Sequence, residues 1–357
     1  MKNILWICCF VLLGYGVSAQ TLSDFKTKVD YLGVKPKKKA SKDVYIANFN
    51  VLVEVYREDI DYKAKREFRG KGRAEATSQA ALGLKGVNAD LLQQKVDQLY
   101  ADMVSDLQAK GFNIIGVDKA AATDFYKKAV PLKGPVLRES VNPGMLEIIP
   151  TQFNGLASEK VAEKGDSKKQ GMFSGLKSLG KLASGGNNAL SKDLDDAIIL
   201  EINLVMSWSE TGGSWLSGLA GANAVIKTNL SLGNKAISAP SSGGFGSRGK
   251  EDYYMLETDF NVAQGSGLKK VLWKGYLAKS IYIGGVIEDT KVESFNRGAA
   301  ATSYENAIYK VTTWTSTISE NAKMVEVDGQ KFADALYLSG SKFIDDQMNH
   351  LVYQYQD

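Results

Sequence analysis

Histidine and cysteine are nearly absent from this chain, and the two shortages remove much of enzyme chemistry before any motif is sought. A single histidine, His350, lies seven residues before the end of the 357-residue sequence. Chain ends commonly fray, so a histidine general base is not expected, and zinc sites built on His or Cys clusters are excluded. Both cysteines, Cys8 and Cys9, fall inside Met1 to Ala19, which reads as a secretory signal. Lys2 supplies its positive start, Ile4 to Val17 its apolar run, and Val17-Ser18-Ala19 the small residues before a cut between Ala19 and Gln20. The cysteines follow Ile7 in mid-run rather than a small residue at its end, so no lipid anchor is expected. The mature chain then has no disulfide, no thiol nucleophile and no thiolate metal site. It must be held by its core, and its length suffices for one large domain or two modest ones. After the leader no run of about 18 apolar residues occurs, so no helix is expected to span a membrane.

A strong excess of charge is also missing. The formal balance is +4, but the positive residues are bunched. Lys35, Lys37, Lys38, Lys39 and Lys42 form one group. Lys63, Lys65, Arg66, Arg69, Lys71 and Arg73 form a second, opposed only by Glu67. Such patches can meet anionic lipid, acidic glycan or nucleic acid. Solvated loops beside a strand are the plainer reading, and export argues against nucleic acid as a partner.

What is present is a clear strand-helix-strand unit. Leu92, Val96, Leu99, Met103 and Leu107 recur at steps of three and four, along one stripe of a helix. Asp90 is the expected N-cap with Gln93 completing a capping box. Gly111 is placed for a left-handed C-terminus, and Phe112 to Val117 reads as a short buried strand. Before the helix, Val44 and Ile46 share one parity while Phe49, Val51, Val53 and Val55 share the other, which predicts a bulge near Asn48 to Asn50. Arg57 to Ala89, polar and glycine-containing, reads as a long linker, and residues 20–41 as a basic leader or tether.

Beyond Val117, Asp118 is expected to cap a second helix that ends before Pro131. Residues 157–191 are rich in Gly, Ser, Lys and Asn and read as a flexible insertion. Within it Met172, Phe173, Leu176, Leu179 and Leu182 have helical spacing with lysines opposite, suiting a lid or a contact with a membrane interface. Ile198 to Trp208 alternates over six positions as a strand with one buried face. A loop carrying Trp215 and Leu216 joins it to a partner strand, Ala224 to Leu232, forming a hairpin. Those two residues are further candidates for membrane or partner contact. Residues Leu256 to Val262 and Val271 to Ile283 supply further strands, the latter expected to twist or bulge at Gly275. Ser303 to Lys323 has helical spacing, and Asp328 to Leu351 is a closing helix with Phe332, Leu336, Ser339 and Phe343 inward. Together these give an α/β class, an α+β mixed sheet packed by a long helix from the N-terminal half and a C-terminal helix, in a single domain over residues 42–357.

No catalytic, cofactor or metal site emerges. Asp195-Asp196 and Asp345-Asp346 are neighbours in sequence, so their side chains diverge. Gly244-Phe-Gly-Ser-Arg-Gly249 spells a dinucleotide fingerprint, but a strand-like Tyr253 to Leu256 follows where a helix is required. Glu201, on the half-polar face of its strand, is the one carboxylate retained as a candidate.

The order of these elements resembles that of the curli-secretion lipoprotein family. The residues that carry it are Tyr45 to Phe49, the helix Leu91 to Leu107, Gly111 to Val117, Ala197 to Trp208 entering Gly212-Gly213, Ala224 to Leu232, and the C-terminal helix. The resemblance implies an α/β sandwich in the periplasm and an oligomer in the outer membrane. This chain departs from the family in lacking the lipidated cysteine. Its Ser209 to Asn223 loop is short for a membrane-spanning hairpin, while Lys269 to Ser294 could supply strands of about 10 residues. The expectation is an exported, non-enzymatic periplasmic or outer-membrane-associated assembly or secretion component, acting on envelope proteins or on copies of itself. A glycan- or small-ligand-binding module is the alternative, and a hydrolase relying on Glu201 a third reading.

Overall fold

The computed structural model describes residues 20–36, 40–63, 66–68, 71–73, 76–140, 142, 144–158, 187–211, 226–240, 251–288, 291–292, 295–296 and 322–356. Its architecture is α+β, a large mixed sheet packed by helix α1 (Ala89–Ala109) and a C-terminal helix. Among the described residues two short helices, α2 (Val117–Ala121) and α3 (Asn187–Asp193), lie between them in the chain, and α4 is Gly329–Tyr355.

The strand Ile198–Thr211 organises the sheet. Along one edge it pairs in parallel with Asp43–Glu54. Along the other its first half pairs with Asp259–Gln264 and its last part with Ile226–Leu232, both antiparallel. Between Leu200↔Ile46 and Glu201↔Asn48 the register skips Ala47. The predicted bulge therefore exists, one residue ahead of the stretch expected. It brings Val44, Ile46, Phe49, Val51 and Val53 onto one face with Ile198, Leu200, Ile202, Leu204 and Met206, all buried.

Helices α1 and α4 cover that face. Leu92, Val96, Leu99, Met103 and Leu107 of α1 and Phe332, Leu336, Phe343, Met348 and Leu351 of α4 are buried in the same core. Gly340 permits the close approach: a Cβ there would meet Leu99 Cδ1 at 3.0 Å and Leu204 Cδ1 at 3.3 Å. Lys95 pairs with Asp334 at 2.8 Å and the Tyr337 hydroxyl donates to Asp102 at 2.8 Å, tying the two helices on their outer side. Asn88, not Asp90, caps α1, its side chain accepting from the Leu91 N–H at 3.0 Å. Asp90 instead places its charge in the first turn, where it favours the positive end of the helix dipole.

Several expectations are corrected. The leader is no tether: Thr21–Leu22 and Lys26–Tyr31 pair with Ile281–Gly284 and Val271–Lys279 as edge strands. The region read as a linker over Arg57 to Ala89 contains an antiparallel hairpin, Tyr56–Lys63 against Ala76–Lys85. The strand after α1 shrinks to Asn113–Ile114, and α2 stops at Ala121. Pro131 lies within the strand Ala129–Lys133, in a two-stranded sheet where a missing N–H is tolerated. Residues read as one strand from Leu256 to Val262 split into Glu251–Leu256 and Asp259–Gln264. The break between Val271–Lys279 and Ile281–Gly284 falls at Ser280, not Gly275. At Gly275 a Cβ would collide with Gln347 of α4, so that glycine serves helix contact. The predicted helix at Ser303 to Lys323 lies outside the described residues apart from its last two, and Lys323–Glu326 is a strand parallel to Leu82–Lys85.

His350 does not fray. The last turn of α4 is anchored by Tyr355, whose hydroxyl donates to Gln264 Oε1 at 2.8 Å and whose ring meets Phe112 edge-on. The His350 ring stands edge-on to Trp273 with centroids 5.2 Å apart, and its Nε2 shares a hydrogen bond with the Tyr31 hydroxyl.

Candidate functional site

The sheet face turned away from α1 and α4 was expected to be half-polar, and its central strand was expected to be buried on one side only. It is buried on both. Under α2 and α3 lies a second apolar cluster that includes Tyr45, Tyr126, Leu190, Ile199 and Ala263. Further along, Leu52, Met145, Val205 and Leu256 form a third. Between the two run two polar rows fixed by strand register. One row is Asn48, Glu201, Asn261 and Lys274; the next is Asn50, Asn203, Asp259 and Tyr276.

Hydrogen bonds link most of these groups. Asn48 Nδ2 donates to Asn203 Oδ1 at 2.9 Å, and Asn203 Nδ2 to Asp259 Oδ1 at 2.8 Å. Asn261 Nδ2 donates to the same oxygen at 3.0 Å, while Lys274 Nζ stands 3.3 Å from Asp259 Oδ2 and also pairs with Glu257. Burial raises the pKa of Asp259, with Asn203 and Lys274 acting against it.

Glu201 is bypassed by this chain. It is 4 % exposed, and its Oε1 has no hydrogen-bond partner among the described residues. Burial pushes its carboxyl up to about 7; the hydrogen bond from Asn187 acts against this, and the charge of Asp259 adds a smaller push upward. Asn50 Oδ1, Asn187 Oδ1 and the hydroxyls of Tyr45 and Tyr126 are likewise buried without a bond of good geometry. Most buried polar atoms in proteins are satisfied, so a cluster of unmatched ones calls for a physical reason.

The far end of the same face holds a second carboxyl in the opposite condition. Glu54 Oε2 accepts the N–H groups of Trp208 at 2.9 Å and Ser209 at 3.0 Å. Its Oε1 accepts the Ser209 hydroxyl at 2.8 Å and faces Lys235 Nζ at 2.9 Å. Lys235 also donates to the Ser209 carbonyl. Full burial would raise the Glu54 pKa, but Lys235, Arg57 and these donors together hold it below the ordinary value. The bonds grip the point where the register with Ile226–Leu232 shifts between Ser207 and Ser209.

Two hairpins start from this end. One runs from Tyr56↔Gly83 to Lys63↔Ala76, and beyond it Arg66–Phe68 pairs with Lys71–Arg73. The other pairs Ser209↔Thr228 through Thr211↔Ile226. A single later segment touches both: Lys291–Val292 pairs with Ile226–Lys227, and Phe295–Asn296 with Ser78–Gln79.

Of the residues picked out from sequence, the basic group falls along the first hairpin, with Lys63 opposite Ala76, Arg66 opposite Arg73 and Lys71 opposite Phe68. Lys65 and Arg69 lie outside the described residues, as do Ala19, Met172, Phe173, Leu176, Leu179, Leu182, Trp215, Leu216 and the glycine-rich Gly244 to Gly249. Gln20 is the first described residue, its side chain donating to the Lys331 carbonyl at 2.6 Å. Of residues 157–191, read as a flexible insertion, Ala157 and Ser158 end a strand and Asn187 to Ser191 are helical, and the rest lie outside the described residues. Asp195 and Asp196 adopt left-handed φ angles of 58° and 59° in the turn before the central strand, and Asp195 pairs with Lys119 at 3.1 Å. Sequence reasoning missed the Glu54–Lys235 pair. Its one trace is that Glu54 shares parity with Asn48 and Asn50 rather than with the valines.

Fold and site thus define an α+β chain with a polar sheet face and two adjacent hairpins. No family model matches the sequence, and no curated protein and no solved structure is significantly similar to it.

Proposed function

We propose that this chain is an exported, non-enzymatic component of envelope assembly or secretion, periplasmic or outer-membrane-associated, that works through contacts made by its hairpins. The observation that carries the reading is that Lys291–Val292 pairs with one hairpin and Phe295–Asn296 with the other, which brings the two together. Among the described residues, Glu58 to Lys63 pair with Ala81 to Ala76 and with no second strand. An open strand edge offers backbone donors and acceptors to another chain, so a second copy or an envelope partner can extend the sheet there. The resemblance to the curli-secretion lipoprotein family supports an envelope role through protein contacts. The signal-like leader supports export.

The test is the mass of the mature chain by size-exclusion chromatography with light scattering, with and without detergent. Its comparison is a variant in which residues 58–80 are replaced by a short turn. An oligomer, or association with vesicles or detergent, is expected for the full chain and not for the variant. A strict monomer indifferent to detergent and membranes would overturn the proposal.

A further inference from the structure

We propose that Gln20 is a modification site: once the leader is cut away it closes to a pyroglutamyl residue, so that the mature chain begins with an uncharged lactam. This rests on the export reading, in which cleavage falls between Ala19 and Gln20. The freed α-nitrogen attacks Cδ of the Gln20 side-chain amide and the new C–N bond closes a five-membered ring. The bond from Cδ to Nε2 breaks, and Nε2 leaves as ammonia, taking the proton that the amine gives up. With an ordinary pKa of about 7.7–8.0, the α-amine is partly neutral, and so nucleophilic, near pH 7. No co-reactant is needed.

The first argument is where the new chain end lies. The residues straight after it are paired. Thr21 stands opposite Gly284 and Leu22 opposite Ile283. The Ser23 N–H donates to the Tyr282 carbonyl at 2.8 Å, and the Ser23 hydroxyl accepts the Tyr282 N–H at 2.9 Å. Gln20 itself reaches the first turn of α4, where its Nε2 donates to the Lys331 carbonyl at 2.6 Å and its buried Oε1 has no partner among the described residues. The end group is part of the packing, so its charge matters.

The second argument is electrostatic. The free N–H groups that open a helix make this the positive end of α4, and Lys331 adds a formal charge. Two carboxylates of the turn are engaged. Asp328 accepts the N–H groups of Gln330 and Lys331 at 2.9 and 3.1 Å. Asp334 pairs with Lys95 at 2.8 Å and accepts from the Gln330 side chain at 3.0 Å. An ammonium at residue 20 would add positive charge to a positive place. The lactam is neutral and keeps one N–H and one carbonyl, as the peptide bond ahead of Gln20 does in the uncut chain.

The same contacts set the order of events. In the folded chain the amide is engaged by Lys331, so ring closure belongs to the newly cut chain, before Thr21–Leu22 joins the sheet edge. The modification uses no hairpin residue, so it does not depend on how the hairpins act.

The experiment is intact-mass spectrometry of the chain isolated from the envelope of the cell that makes it. It is done without proteolysis, because a peptide with an N-terminal glutamine can close during handling. A mass about 17 Da below that of residues 20–357 with an open glutamine is expected. Gln20→Ala should show the full mass of its own mature sequence. An open glutamine in the isolated mature chain would overturn the proposal and leave export standing, as would cleavage at another bond. A loss that persists in Gln20→Ala would also overturn it. The mass of the uncut chain would overturn the export reading and this proposal with it.

Discussion

Glu54 and Glu201 sit on neighbouring strands, on the same face of one sheet, with 2 % and 4 % of their surface exposed. Their protonation is nevertheless driven in opposite directions. Burial opposes ionisation in both, because a charge leaves water for a medium that solvates it poorly. Glu54 overcomes this with the Lys235 and Arg57 charges and with donors from Trp208 and Ser209. Glu201 has an amide nearby and the like charge of Asp259, so the penalty stands. What separates a structural ion from a strained acid here is the number of donors aimed at it, not depth. The first carboxyl fastens the place where the hairpins leave the sheet, and the second lies in the polar rows between the two smaller apolar clusters.

The largest expected effect comes from breaking the satisfied side of this contrast. Lys235→Met leaves Glu54 buried without its counter-charge and should destabilise the chain by about 3–5 kcal/mol at pH 7 in denaturant melts. Glu54→Leu combined with Lys235→Met removes both charges and should recover much of that loss. The folded-state pKa of Glu54 is lowered, so its contribution is present above the ordinary 4.5 and is lost as pH falls through the folded value. The gap between parent and Lys235→Met should therefore narrow in acid. A gap that is constant with pH would mean that packing, not charge, is what Lys235 supplies.

The second effect has the opposite sign. Below pH 4.5 Glu201 is protonated in folded and unfolded chains alike. Between 4.5 and about 7 the unfolded chain releases its proton first, so stability falls as pH rises through this window and stays lower above it. Glu201→Gln cannot ionise. It should match the parent at pH 4 and exceed it at pH 8 by about 3 kcal/mol. Equal stabilities at both pH values would show that Glu201 has donors enough and would erase the contrast with Glu54.

The frame was legible in sequence wherever one physical signal dominated. Leu92 to Leu107 and Phe332 to Leu351 repeat at helical steps because each helix has one buried side. The shift of parity around Ala47 announced the bulge, because valines and Phe49 must reach the same core. The hairpin from Tyr56 was hidden because it lies outside that core's main sheet and is built from charged, alanine and glycine positions that leave no apolar period. The leader strands were hidden for a related reason. Lys26–Tyr31 is a sheet edge, and it is held by Thr27 donating to Asp346 at 2.7 Å and by Tyr31 on His350, contacts more than 300 residues apart in sequence. Of the candidate site, Glu201 was visible as a polar residue in an apolar alternation. Lys235 was not, since nothing local shows that a lysine after Asn234 will fold back onto Ser209 and Glu54.

Asp259 tests the contrast at its midpoint, and its expected effect is the smallest. It is 8 % exposed, and like Glu201 it is raised by burial, yet like Glu54 it has partners. Asp259→Asn would retain an oxygen for Asn203 and Asn261 and would relieve the buried charge, but it would weaken the hold on Lys274. That lysine is itself about a third exposed and keeps Glu257, so solvent screens what is lost. The two changes oppose each other, and the net shift at pH 7 should stay within about 1 kcal/mol in the same melts. A loss as large as that of Lys235→Met would place Asp259 with Glu54 as a charge the sheet requires. A gain as large as that of Glu201→Gln would place it with Glu201 as a carboxyl whose burial its partners do not offset.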